Sequence, residues 1–204
     1  MPLPDFFARI PAITLRDPLA ELLGAADGGL IEYTFADAVK LAGHSCPTVA
    51  GAWLMSVRAL GELYGSETPV RGNIAVALQD DLDSGVAGVI ASIATLLTGA
   101  AGDGGFKGLG GQHARRGLLK FGVAELMGMR FRRLDTGATV DCVFRPHLVP
   151  ADPMLGKLLP GIVSGTANAA ETGLFGKLWQ DRVKRLLIDH GDDPAVVEIK
   201  RAPH

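Results

Sequence analysis

The sequence predicts an α+β fold in which a small mixed or antiparallel sheet packs with helices in a single domain. Helix patterns dominate the chain, whereas strand patterns are few and partly adjacent, and this order favours α+β over an alternating α/β fold. The composition, with 48% apolar and 21% charged residues, is typical of a globular domain. A length of 204 residues suits one domain.

The first half of the chain is predicted to be mainly helical. Thr34 and Asp37 have the spacing of a capping box at the start of a helix that ends at Gly43. The next helix begins after Cys46, because the proline that follows it fits the first helical position. This helix runs to about Tyr64, and its apolar middle predicts burial on more than one side.

The strand patterns lie in the middle of the chain. Asn73–Leu78 is a short continuous apolar run, typical of a buried strand, and acidic residues follow it. A helix to about Leu97 comes next, and Asp83 or Ser84 is its expected cap. Residues 129–144 are predicted to form a hairpin around a short connection that contains glycine.

The C-terminal part is predicted to be less regular. Pro146–Gly165 is rich in loop residues, with one candidate short helical segment. An amphipathic helix is expected over Glu171–His190, with leucines on one side and basic residues on the other. Val196–Ile199 is the candidate edge strand.

Charge and composition exclude several classes of partner. Twenty basic residues against 22 acidic ones give a formal net charge of −2, and nucleic-acid-binding proteins usually carry a basic excess. The uncharged run Ser84–Gly102 is nearly long enough to span a bilayer, but its glycines and flanking aspartates argue against a membrane partner. Two cysteines cannot form a disulfide framework, so we expect a cytoplasmic protein.

The segment Gly43–Pro47 carries the strongest chemical signal. It lies between two predicted helices, where a turn allows the His44 imidazole and the Cys46 thiol to converge. The thiol also lies at a helix N-terminus, whose free N–H groups favour the thiolate. A thiolate beside an imidazole suits a transition metal or a reactive cysteine, and a buried structural cysteine is the alternative interpretation.

Two ligands are too few for zinc, which takes four protein ligands in structural sites and three with a water in catalytic ones. The candidates to complete the site are Asp80, Asp81, Asp83 and His113. The aspartates have a rival explanation as strand-end or capping residues, and His113 has one as an exposed surface residue.

The glycine-rich loop Gly99–Gly111 matches neither the Walker A pattern nor the dinucleotide-binding pattern. Lys107, together with Arg115 and backbone N–H groups, is the candidate for holding an anionic cofactor or another small-molecule ligand. A flexible connection is the alternative interpretation of this loop.

The segment Lys40–Leu63, in which Gly-His-Ser-Cys-Pro opens an apolar helix, resembles the start of the FmdE-like domain, a family named after formylmethanofuran dehydrogenase. The later order is similar too: a buried strand with an acidic end, the pair Thr98-Gly99, the loop Gly104–Leu109 and a hairpin. The resemblance covers Thr34–Arg145, which is more than half of the chain.

This resemblance implies three segments: an N-terminal extension (1–33), an α+β core (34–145) and a C-terminal helical extension (146–204). It also implies a homodimer and a His/Cys site for a transition metal, zinc above all, with His44 and Cys46 as ligands. A metal- or metallocofactor-binding function is therefore the leading hypothesis, and formylmethanofuran chemistry is not implied.

Several family positions differ in this chain. Ala42 stands where the family has its first histidine, and Thr48 stands where it has its last glycine. Leu82 and Ala100 replace its two later cysteines. The metal ligands are therefore reduced in number or rebuilt from other residues. Three alternatives stay open: a haem protein with Cys46 as axial thiolate, a metal-free protein with a reactive Cys46, and a scaffold without the ancestral site.

Overall fold

The strands of the computed structural model, which describes residues 3–202, form two sheets. In chain order they are β1 (Ile13–Arg16), β2 (Leu30–Tyr33), β3 (Ile74–Leu78), β4 (Leu119–Lys120), β5 (Met129–Arg133), β6 (Thr139–Phe144) and β7 (Val197–Arg201). β1 and β2 pair with each other, and the main sheet has the order β4-β3-β5-β6-β7. β3 and β4 are parallel while the other neighbours are antiparallel, so the main sheet is mixed.

Six α-helices accompany these sheets in the described part of the chain. They are α1 (Pro18–Leu22), α2 (Phe35–Ala42), α3 (Pro47–Tyr64), α4 (Ala87–Thr98), α5 (Pro153–Ser164) and α6 (Ala169–Lys184). α3 packs against β5, β6 and β7, and α4 packs against β3, so the two helices cover one face of the main sheet. The predicted α+β fold is confirmed.

The hydrophobic core lies between α3, α4 and the covered face of the main sheet. Alternate residues of β3 are buried, as the two-residue period of a strand requires. α3 is buried on several sides, as predicted, and Trp53 packs edge-on against Phe35 of α2 with 6.1 Å between the ring centroids. The packing of α3 against β5, β6 and β7 fixes this helix, and with it the N-cap residue Cys46, relative to the sheet.

The predicted boundaries of α2 and α3 are confirmed. Thr34 and Asp37 form the capping box of α2, and Gly43 ends that helix in the left-handed conformation with φ 75°. Cys46 caps α3, and Tyr64 is its last residue. The caps that set these boundaries are made by residues close in sequence, so the sequence alone reveals them.

The predicted start of α4 is wrong. The helix begins at Ala87, and Val86 in the N-cap position provides no side-chain hydrogen bond. Asp81 and Ser84 instead belong to a turn, in which the Ser84 N–H donates to the Asp81 carbonyl oxygen at 3.0 Å. No helix among residues 3–202 is long and apolar enough to cross a membrane.

The C-terminal segment contains more helix than predicted. α5 fills most of the stretch expected to be loop-rich, with Pro160 inside it. α6 ends at Lys184, and a wider helical turn, Arg185–Asp189, continues it. β7 is the predicted edge strand and pairs with β6. Leu15 on β1 and Leu186 after α6 are fully buried, so both terminal segments contribute to the core.

Candidate functional site

A cavity of about 370 Å³ opens where the first turns of α3, the end of β3 and the start of α4 meet. The beginning of β5 and the end of β6 complete its walls. These walls are mostly apolar and include Met55, Ile90, Met129, Val143 and Phe144. The volume lies near the lower end of the roughly 300–1,000 Å³ typical of small-molecule sites, so the cavity suits a small organic molecule better than a macrocycle.

Three polar side chains line this cavity: Thr48, Gln79 and Asp80. The Gln79 Oε1 accepts a hydrogen bond from the Gly128 N–H at 3.2 Å, which ties it to the neighbouring loop. Asp80 is exposed and belongs to no ion pair within residues 3–202. It is therefore free to contact a ligand.

Cys46 lies beside the cavity, since the following residue, Pro47, is part of the wall. Its Sγ accepts a hydrogen bond from the Val49 N–H at 3.4 Å, and the residue is 8% exposed. The sulfur thus lies at the positive end of the α3 dipole, as the sequence predicts. His44 is exposed, and its Nδ1 donates to the Ala42 carbonyl oxygen at 2.9 Å.

α6 holds the turn between α2 and α3. The Trp179 Nε1–H and the Gln180 Nε2–H both donate to the Ser45 carbonyl oxygen, each at 3.1 Å. The Ser45 Oγ and the Gln180 Oε1 are buried without a hydrogen-bond partner among the described residues. The sequence does not reveal this role of Trp179 and Gln180, because helical periodicity shows which face is buried but not which distant group it meets.

Lys107 lies in the glycine-rich loop and His113 follows it, and neither residue lines the cavity. Lys107 is exposed, and His113 has a left-handed backbone with φ 58°. The loop is anchored by Arg115, whose guanidinium packs against Gly72 just before β3. Gly72 precedes β3 and Asp80 follows it, so the length of the strand, about 16 Å at ~3.3 Å per residue, separates the anchor of this loop from Asp80.

Arg115 takes part in a buried ion-pair cluster and not in anion binding beside Lys107. Arg71 and Arg115 donate to the two carboxylate oxygens of Asp17, at 2.5 and 2.6 Å. Arg71 also donates to the carbonyl oxygens of Leu96 and Leu97 near the end of α4. Burial by itself raises the pKa of Asp17, but the charges of Arg115 and Arg71 and their hydrogen bonds outweigh it and hold this pKa below its usual value.

The predicted metal ligands do not come together into a complete site within this chain. Among residues 3–202, no group of three or more His, Cys, Asp and Glu side chains is arranged to hold a metal ion. Cys46 and Asp80 are near the same cavity, whereas His113 follows the glycine-rich loop and the Asp81 carboxylate lies against Gly122. The donors among residues 3–202 therefore do not fit a zinc site with three or four protein ligands.

No family model matches the chain, and no curated protein matches it either. The resemblance to the FmdE-like family therefore stays a prediction from motifs. The fold and the site define an α+β protein with an apolar cavity, sized for a small molecule, at the N-terminus of a buried helix.

Proposed function

We propose that this protein binds a small, mainly apolar molecule in the cavity between α3, β3 and α4. The cavity itself carries the proposal, because its apolar walls surround about 370 Å³ and few polar side chains line it. Apolar walls supply affinity by releasing water, and a few polar groups orient the ligand. Met55 and Met129 suit such a wall, since thioether side chains adapt to the shape of a ligand.

Binding of a neutral fluorescent probe, N-phenyl-1-naphthylamine, tests this proposal. We expect saturable binding to the wild type and weaker binding to the Gly51→Ala variant. A Cβ at Gly51 would overlap the ring of Phe144, which is part of the cavity wall, and displace it. Gly61→Ala is the matched control, because this position on the same helix faces open space. A wild type without saturable probe binding would contradict the proposal.

Metal or metallocofactor binding is a second proposal, and the position of Cys46 favours it. The sulfur caps α3 and accepts a hydrogen bond from the Val49 N–H, so a soft ligand atom lies beside the cavity. His44 and Asp80 would be its companion ligands, with zinc as the first expectation and haem as the alternative. Because these donors do not form a complete site, a second copy of the chain or the bound molecule would supply the remaining ligands.

Elemental analysis with an absorption spectrum tests this second proposal on the wild type and on Cys46→Ser and His44→Ala. Near-stoichiometric metal or haem in the wild type, lost in both variants, is the expected result. A wild type that stays metal-free after anaerobic purification and reloading would contradict metal binding and leave the organic-ligand proposal in place.

We also propose that the protein is a cytoplasmic homodimer. Apolar side chains of the hairpin formed by α5 and α6 are exposed, among them Met154, Leu159 and Val163, and such surfaces are typical of interfaces. Both cysteines are free, which agrees with a reducing compartment. Sedimentation velocity tests the dimer, and a single species at the monomer mass of 21.3 kDa would contradict it.

A further inference from the structure

We infer that the ligand of this cavity carries a positive charge, as an ammonium group on an apolar body, and that Asp80 binds this group. The inference rests on the proposed function and names the chemical class of molecule that the cavity would take. It depends on the charges around the cavity and on the direction in which the neighbouring basic side chains point.

Asp80 is the only charged residue among the described residues that line the cavity. Its carboxylate has no basic partner within residues 3–202, whereas Asp141 on β6 is held by Arg130 at 2.6 Å. A carboxylate at the rim of an apolar cavity interacts more strongly with a cation than one in bulk water, because the apolar wall lowers the local dielectric constant. The charge of the lining therefore favours a cation over an anion.

The basic residues of the neighbouring strands do not oppose this preference. Lys120 on β4 and Arg130 on β5 are the register partners of Ala77 on β3. Successive residues of a strand point to opposite faces, so these two side chains lie on the face opposite to that of Leu78. Leu78 lines the cavity. Neither Lys120 nor Arg130 is therefore placed to neutralise Asp80.

The turn after β3 adds negative charge to the same rim. Asp81 and Asp83 follow Asp80 within a few residues, both are exposed, and neither has an ion-pair partner in the described ranges. Exposed carboxylates at this distance act through screened, longer-range attraction. They raise the local concentration of cations at the cavity mouth.

The N-terminus of α3 supplies only a weak opposing charge. Pro47 has no N–H group, the Val49 N–H donates to the Cys46 Sγ, and the Ala50 N–H donates to the Cys46 carbonyl oxygen. Thr48 is thus the residue of the first turn whose N–H is left for a ligand. One N–H donor suits a neutral acceptor atom on the ligand, while binding of an anion at a helix N-terminus draws on several such groups.

Displacement of bound N-phenyl-1-naphthylamine by three compounds of similar size tests the inference. These are 2-phenylethylamine, which is cationic, 2-phenylethanol, which is neutral, and 3-phenylpropanoate, which is anionic. We expect the amine to bind about two- to fivefold more tightly than the alcohol, as for a solvent-exposed ion pair, and the carboxylate to bind most weakly. The preference for the amine should shrink in high salt.

Two variants assign this preference to Asp80. Asp80→Asn should make the amine and the alcohol bind equally. Asp83 lies outside the lining of the cavity, so Asp83→Asn should keep most of the preference for the amine. Both residues lie in an exposed turn, so the variants should fold, which circular dichroism checks. An amine that binds no better than the alcohol, or a preference that survives Asp80→Asn, would overturn the inference. If the wild type does not bind the probe at all, the proposed function fails as well.

Discussion

The ion-pair cluster of Asp17, Arg71 and Arg115 places charged side chains in the interior of the protein, where such side chains are unusual. Asp17 and Arg115 are the charged residues that the structure buries within residues 3–202. Their mutual hydrogen bonds compensate the loss of water that burial imposes. Local sequence patterns do not reveal this cluster, because its members are separated by 54 and 98 positions along the chain.

Asp17→Asn should lower the free energy of unfolding by about 3–5 kcal/mol, because it leaves Arg115 buried without its counter-charge. Urea unfolding measures this change. Glu21→Gln is the control, since it removes an exposed ion pair with Arg16 and should cost no more than about 1 kcal/mol. Equal effects of the two substitutions would contradict the structural role of the cluster.

The same carboxylate should make stability depend on pH in the acid range. The pKa of Asp17 in the folded protein lies below its ordinary value of 3.8, so its contribution is complete above that value and is lost as pH falls through the folded pKa. Other carboxylates titrate nearby, so the difference between the wild type and Asp17→Asn isolates this residue. Urea unfolding from pH 5 down to pH 2 should show that this difference in the free energy of unfolding becomes smaller. A difference that stays constant would contradict the prediction.

The two thiols should differ in reactivity. Burial raises the pKa of the Cys142 thiol to about 12, with a smaller contribution from Asp141, and the residue is fully buried on β6. Cys46 is 8% exposed at the start of α3. We therefore expect iodoacetamide to label Cys46 faster than Cys142 in the native protein, as mass spectrometry would show. In urea the two rates should become similar, and faster native labelling of Cys142 would contradict this prediction.

Among the secondary-structure elements, α3 determines the shape of the site. It supplies Cys46, part of the cavity wall and the glycine against which Phe144 packs. α6 then fixes the turn before α3 through two hydrogen bonds to the Ser45 carbonyl oxygen. The geometry of the cavity therefore depends on a helix that lies outside the region of family resemblance.

Two glycine substitutions on α3 should change stability in opposite directions. Gly51→Ala should lower the free energy of unfolding by about 1–3 kcal/mol, because the added methyl group overlaps the ring of Phe144 in a packed region. Gly61→Ala should raise it by up to about 1 kcal/mol, since alanine is the better helix former and nothing lies near its Cβ. Thermal unfolding measures both changes, and destabilisation of similar size at both positions would show that packing against Phe144 is not the cause.

For the whole molecule, the region of family resemblance is smaller than the folding unit. Leu15 precedes this region, while Leu186 and Val197 follow it, and all three are fully buried in the core. β7 also pairs along most of β6. The segments that the resemblance treats as extensions therefore complete the sheet and its core.

A fragment of residues 34–145 should not fold by itself. It lacks β1, β2 and β7 and exposes the core surface that these strands and the end of α6 cover. We expect a circular dichroism spectrum of a largely disordered chain and no cooperative urea transition, in contrast to the full chain. A cooperative transition of the fragment would show that the core region is an independent domain.

The sequence by itself determined the α+β class, the capping box at Thr34, the start of α3 after Cys46 and most of the strands. These features follow from residue periodicity and from hydrogen bonds within a few positions, which local sequence encodes. Only the tertiary structure decided that Asp80 lines the cavity and that Trp179 and Gln180 hold the turn at Ser45. Such contacts join residues far apart in the chain, so their formation depends on how the helices pack on the sheet, which no local pattern specifies.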